Sequence, residues 1–154
     1  MSRQEQIKEI IAKLLDLLMI EGSVAIEDRE GQLFFNIKTE DSHMLIGHYG
    51  QNLKALQHLA RLIARAQEEK ENVEQPTYFS LDVGDYRRER TEFLGALARQ
   101  AASRVRETKQ TLILKPMNSS DRKMIHMSLS DSDDLITESI GDEPERRVVI
   151  KLKA

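Results

Sequence analysis

The 154-residue chain contains no cysteine and no tryptophan, only three prolines and seven glycines, and 5% aromatic residues. Without cysteine there is no disulfide, no thiolate metal site and no cysteine nucleophile, and the reducing cytoplasm is the expected compartment. Long apolar runs are missing too. The most apolar N-terminal stretch, Ile7 to Ile20, is broken by Lys8, Glu9, Lys13 and Asp16. It is too polar for a membrane span and too acidic for a signal peptide, so no membrane insertion is expected. No P-loop or dinucleotide-binding glycine fingerprint is present. An excess of positive charge is also lacking: 23 Lys and Arg against 26 Asp and Glu leave a net −3. That balance argues against a protein that coats nucleic acid by bulk electrostatics.

What is there, 40% hydrophobic and 32% charged residues, reads as a globular chain and not a disordered one. The length allows one ordinary domain or two small ones of about 75 residues each. The charge is segregated. Residues 1–78 carry 9 basic and 13 acidic side chains, a net of −4. Residues 87–123 carry ten basic (Arg87, Arg88, Arg90, Arg99, Arg104, Arg106, Lys109, Lys115, Arg122, Lys123) and four acidic ones, a net of +6. The following stretch, 124–145, carries seven acids and no Lys or Arg. One polyanion-facing surface accounts for such segregation, and so does an ordinary alternation of charged helix faces.

Residues 3–20 show helical spacing at Ile7, Ile10, Ile11, Leu14, Leu15, Leu17 and Leu18, with Gly22 as the stop. Val24 and Ile26 share one face of a predicted strand, and Leu33, Phe35 and Ile37 one face of another; Gly31 between them predicts a hairpin. A short helix over 41–46 leads into Gly47-His48-Tyr49-Gly50, and a long helix over 51–69 follows directly. Pro76 bars further helix, and Phe79, Leu81 and Val83 alternate as a third strand. The second half opens with a helix from Asp85 to about Thr108, whose predicted buried stripe is Phe93, Leu94, Leu97, Ala98, Ala101 and Val105. A short β run over 111–115, a helix capped by Asn118 or Ser119, and two strands over 135–139 and 146–152 complete the chain. The expected fold class is α+β in two small domains, 1–84 and 85–154. The first has the order helix, strand, strand, helix, helix, strand. The second has helix, strand, helix and two strands.

Two glycines flanking two variable residues let a backbone come close to a partner, because neither projects a Cβ. The helix that follows Gly50 offers unsatisfied N–H groups and a positive dipole end there, which suits a phosphate; two glycines also suit a tight helix–helix corner. Lys54, His58, Arg61 and Arg65 recur at i, i+4, i+7 and i+11, a narrow basic arc, with Leu56, Leu59, Leu62 and Ile63 expected as the opposite, core face. The arc could track a nucleic-acid backbone or be a solvated face. In the second half Arg122 and His126 stand at i and i+4 on one helix face, with Ile125 and Leu129 facing inward. An Arg fork beside a His makes a compact site for phosphate oxygens.

The first half, with G-x-x-G between paired helices, resembles a type II KH domain of the bacterial kind. The resemblance implies that Gly47, His48, Tyr49 and Gly50 clamp the backbone of about four single-stranded nucleotides, with bases lying on Leu45, Ile46 and Leu53. The variable positions of that loop often include Lys or Arg. Here they are His48 and Tyr49, which implies weaker phosphate attraction and a ring that can stack on a base. Residues 85–151 carry Arg87, Arg88 and Arg90, then Leu114-Lys115-Pro116-Met117, then Arg122 and His126, and finally Thr137-Glu138-Ser139-Ile140-Gly141. They resemble the R3H domain, named for its Arg-x-x-x-His motif and associated with single-stranded nucleic acid. A KH domain joined directly to an R3H domain is similar to the Jag family of bacterial RNA-binding proteins, also called SpoIIIJ-associated proteins. Many of its members begin with an extra small basic domain, which a sequence starting at the first KH helix is expected to lack.

The resemblance implies a partner, single-stranded RNA, with single-stranded DNA as the related alternative. It makes Lys54, Arg61, Arg122 and His126 expected contacts, and Arg87 and Arg90 auxiliary ones that could equally pair with Glu89 or Asp121. No cofactor, no metal and no catalysis are expected. Two other readings compete. His126 with Arg122 could serve a ribonuclease, but no second His or placed carboxylate accompanies them, and His43, His48 and His58 are spaced unlike a zinc set. A protein-interaction adaptor fits the net acidity, the acidic stretch 131–145 and a glycine loop without Lys or Arg.

Overall fold

A computed structural model describes residues 1–154. It is an α+β structure of two compact units, Met1–Arg87 and Arg88–Ala154. The sequence places the boundary at Gly84. In the structure Tyr86 packs against the first core, and Arg87 Nε donates to the Leu81 carbonyl, so both belong to the first unit.

In the first unit the elements are α1 (Arg3–Leu17), β1 (Ser23–Arg29), β2 (Gln32–Lys38), α2 (Ser42–Ile46), a single 3-10 turn (His48–Gly50), α3 (Gln51–Lys70) and β3 (Ser80–Val83). Ser2 caps α1 by accepting from Glu5 N–H, and Glu5 returns the bond to Ser2 N–H, a reciprocal capping box. The helix stops before the expected residue 20. Met19 turns left-handed at φ 57°, and the N–H groups of Met19 and Ile20 bond back to Asp16 and Leu15 carbonyls, closing a Schellman motif. Leu17 and Leu18 are thereby left exposed instead of joining the core. β1 and β2 form a hairpin across Glu30 and Gly31, both at positive φ, the twist-matched turn for two-residue loops. β3 pairs parallel with β2, giving the order β1-β2-β3. Phe35, Ile37 and Leu81 are fully buried beneath α1 and α3, and the Phe35 and Phe79 rings meet edge-on at 5.4 Å.

α3 corrects one expectation. Its buried stripe is Leu53, Leu56, Ala60, Ala64 and Glu68, while Leu59 and Leu62 face outward. Small alanines let a neighbouring backbone approach, and Arg3 reaches across from α1 to donate to the Ala64 carbonyl and to the buried Glu68 carboxylate. A leucine at either alanine would hold the helices apart.

The second unit has α4 (Tyr86–Thr108, beginning in the first unit), β4 (Leu112–Ile113), α5 (Ser119–Leu129), β5 (Leu135–Ile140) and β6 (Arg147–Leu152). Its antiparallel sheet runs β4-β6-β5 and packs Val148 and Ile150 against Leu94, Ala98, Val105 and Ile125. Asn118 caps α5 by accepting from Asp121 N–H. Phe93, expected in the buried stripe, is exposed, with the Arg90 guanidinium 5.2 Å over its ring. No helix is long and apolar enough to cross a membrane.

Candidate nucleic-acid interface

The G-x-x-G loop is built from left-handed backbone. Gly47 has φ 69°, Tyr49 φ 53° and ψ 30°, and Gly50 φ 76°. Glycine reaches such angles without steric cost, whereas for Tyr49, which carries a Cβ, they are uncommon. Gly47 is required twice over. A Cβ built on it falls 2.4 Å from Asn52 Cγ, and the Asn52 amide uses that space to donate to the Met44 carbonyl at 2.8 Å. Gly50 leaves room for Tyr86, whose ring atoms stand 3.1 Å from where its Cβ would be. Asn52 and Tyr86 therefore shape the loop, and no motif in the sequence singled them out. The His48 and Tyr49 rings lie 4.2 Å apart, tilted by 52°, with His48 exposed. α3 opens on the loop without a side-chain cap, so its first N–H groups have no side-chain acceptor.

The other predicted site residues of this unit are placed differently from one another. Lys54 is exposed and has no ion pair. Leu53 is 2% exposed and belongs to the core, as does Leu45, so the apolar floor available beside the loop is the half-buried Ile46. The basic arc along α3 is only partly open. Arg65 pairs with Glu69 at 3.2 Å, and Arg61 turns to the Phe79 carbonyl and Ser80 Oγ of the neighbouring strand. Arg87 reaches the Leu81 carbonyl and Gln57.

In the second unit Arg122 and His126 share a face of α5, as their spacing predicts. The burial differs from the solvated face that an Arg and a His four residues apart suggest. Arg122 is 7% exposed; Nη1 donates to the Met117 carbonyl and Nη2 to Glu143 Oε1, each at 2.7 Å. Glu143 itself is largely exposed. Both ring nitrogens of His126 are engaged, Nδ1 with Thr137 Oγ1 at 2.7 Å and Nε2 with Ser139 Oγ at 2.9 Å. Arg90 binds Asp121, one of its two expected partners, through Nε and Nη2. Arg106 is likewise taken, by Asp134. Of the basic run 87–123, Arg99, Arg104, Lys109, Lys115 and Lys123 carry no ion pair. The acidic stretch supplies many of the internal partners: Asp134, Glu138, Glu143 and Glu145 each hold an Arg or Lys. No group of three or more His, Asp or Glu is placed to hold a metal ion.

Burial pushes the His126 imidazole below its ordinary pKa, and the nearby Arg122 charge adds to the shift. The unfolded chain then binds the proton more readily than the native one, so stability is full above the free histidine value near 6.5 and is lost as pH falls through that range. Melting the chain at pH 7.5 and 5.5 is expected to show a larger acid loss for wild type than for His126→Asn. Equal losses would mean that His126 is not held neutral.

The fold and these two sites define a KH domain followed by an R3H domain. A KH family model matches residues 5–76 and an R3H family model residues 92–152. The chain is 33% identical over 154 residues to the RNA-binding protein KhpB of Clostridium symbiosum, covering 97% of this chain and 66% of that protein. Against the protein of the same name from Bacillus subtilis it is 32% identical over 152 residues, covering 97% and 70%. The Streptococcus pneumoniae D39 protein is 30% identical over 145 residues, of which the chain spans 43%. The chain belongs to the KhpB, or Jag, family of KH–R3H proteins, and spans between less than half and about two-thirds of the length of these relatives.

Proposed function

We propose that the chain binds single-stranded RNA, without catalysis and in a regulatory role in the cytoplasm. The observation that carries this reading is the left-handed Gly47–Gly50 loop opening α3, with His48 exposed beside it and Lys54 one turn further along. Main-chain N–H groups and Lys54 receive phosphates there, while Tyr49 and His48 offer rings to unstacked bases. In the second unit the Arg122–Glu143 pair is the phosphate site. The exposed carboxylate occupies the place of a phosphate oxygen, and RNA replaces it on Nη2, with His126 alongside. Arg90 acts by holding Asp121 at the start of the same helix. The names of the relatives, RNA-binding proteins, support the same partner. Single-stranded DNA is the related ligand to compare.

Fluorescence anisotropy with a pool of short single-stranded RNAs at several salt concentrations tests the reading, and no binding at any of them would overturn it. Arg122→Ala combined with His126→Ala is expected to reduce the steepness of log affinity against log salt by about one, because Arg122 is the charged member of the pair. An unchanged slope removes that pair from the contact surface.

A protein partner is a second reading, favoured by one observation. Leu18, Met44 and Leu59 are exposed around a groove of about 310 Å³ that also touches Ile20, Ala55 and Leu56. Protein co-purifying in place of RNA would support it.

A further inference from the structure

A strand at the edge of a sheet ends in main-chain N–H and C=O groups that lack a ladder partner. β3 is such a strand: β2 pairs with one side of it and no strand with the other. Three outward groups along this edge, two on β3 and one on Phe79 just before it, are nevertheless taken, each by a side chain. Arg61 donates to the Phe79 carbonyl through Nε at 2.8 Å and again through Nη2. Leu81 N–H donates to Gln57 Oε1 at 2.9 Å, and the Leu81 carbonyl accepts from Arg87 Nε at 2.8 Å. Arg87 Nη2 also donates to Gln57 Oε1 at 3.0 Å, tying the two side chains together. Leu81 thus faces one acceptor and one donor side by side, the pair that a residue of a neighbouring strand would present. Gln57 lies seven residues beyond Gly50, about 10 Å along the axis of the helix that opens on the G-x-x-G loop.

We propose that Gln57 and Arg87 form a gate on the β3 edge: they stand where a nucleobase would pair with the Leu81 main chain, and they decide which bases may bind there. The inference rests on the RNA-binding reading above. A base edge carries hydrogen-bond donors and acceptors side by side, as the gate does. A base that reaches Leu81 exchanges one set of hydrogen bonds for another and gains little unless Gln57 and Arg87 find new acceptors or donors on the RNA. Selectivity follows from that exchange, because a base that satisfies Leu81 but offers nothing in return for the Gln57 and Arg87 bonds it displaces gains nothing by entering. Arg61 is not bonded to Gln57 and stays on Phe79 when the gate opens.

Gln57→Met tests this in the full chain. It removes the acceptor, keeps an unbranched side chain that suits a helix, and changes no charge. Anisotropy with short labelled single-stranded RNAs is expected to show binding roughly threefold to tenfold tighter, with the salt slope unchanged and weaker discrimination among the sequences. Unchanged or weaker binding overturns the gate. If the loop variant described below loses binding while Gln57→Met matches wild type, the gate falls and RNA binding through the loop stands. If wild type binds no RNA, both fall. Should Gln57→Met fail to fold, wild-type resonances decide: the Leu81 amide and the Gln57 side-chain amide are expected to shift on adding RNA, and two unmoved signals overturn the proposal.

Discussion

Replacing His48 and Tyr49 together with aspartate is expected to weaken RNA binding at least tenfold while the melting temperature moves by only a few degrees. Two carboxylates set against a phosphate chain cost several kcal/mol of repulsion when juxtaposed, far more than any ring contact they displace. Stability is spared for a local reason. His48 is exposed, and Tyr49 sits at φ 53°, a left-handed conformation that aspartate tolerates better than tyrosine. Gly47 and Gly50 are untouched, so the loop keeps its path. Anisotropy read beside a thermal melt checks both halves of the expectation. Wild-type affinity in a folded variant would take the loop out of the interface.

The largest expected effect on stability lies at Asp82. Its carboxylate has no exposed surface and holds three donors: Val83 N–H at 2.9 Å, Arg87 N–H at 3.3 Å in the first turn of α4, and Arg29 Nη1 at 2.7 Å. Alanine removes the acceptor from all three. Each buried donor left without a partner costs about 1–3 kcal/mol, whereas Arg29 is partly exposed and keeps Glu27. Asp82→Ala is therefore expected to destabilise the first unit by about 3 kcal/mol, on the order of 15 °C in melting temperature for a unit of this size. Asp82→Asn, which keeps an oxygen for the main-chain donors, is expected to cost clearly less. Chemical denaturation of both variants checks the ranking, and an Asp82→Ala midpoint equal to wild type would mean that the three bonds contribute nothing net. Because Asp82 and the Gln57–Arg87 gate share Arg87, loss of Asp82 is also expected to loosen that arginine's first turn.

Local features were legible wherever the physics is local. The α1 stripe from Ile7 to Leu15, the hairpin at Gly31, the Asn118 cap and the G-x-x-G turn all follow from spacing or from what a single residue's backbone allows. The pairing of Arg90 with Asp121 was among the alternatives, since charge and helix position suggested it. The errors have a common source. Leu59, Leu62 and Phe93 are expected in the core because they are large and apolar, yet the places nearest neighbouring elements belong to Ala60, Ala64 and Ala98. Packing at close approach selects small side chains, and a hydrophobic pattern does not reveal which helix face comes closest.

The arginines divide in the same way. By itself, the order of residues determined two α+β units, a glycine loop between paired helices and a basic run ahead of an acidic one, because periodicity, turn chemistry and charge are properties of neighbours along the chain. Which cations remain open to a polyanion was decided only by tertiary structure. Arg61, Arg87 and Arg122 look alike with Lys54 and Lys123 in the sequence, but they meet carbonyls and carboxylates up to 30 residues away, and these claim their hydrogen bonds. A guanidinium has five donors and a fixed fork, so its availability depends on what the fold sets opposite it.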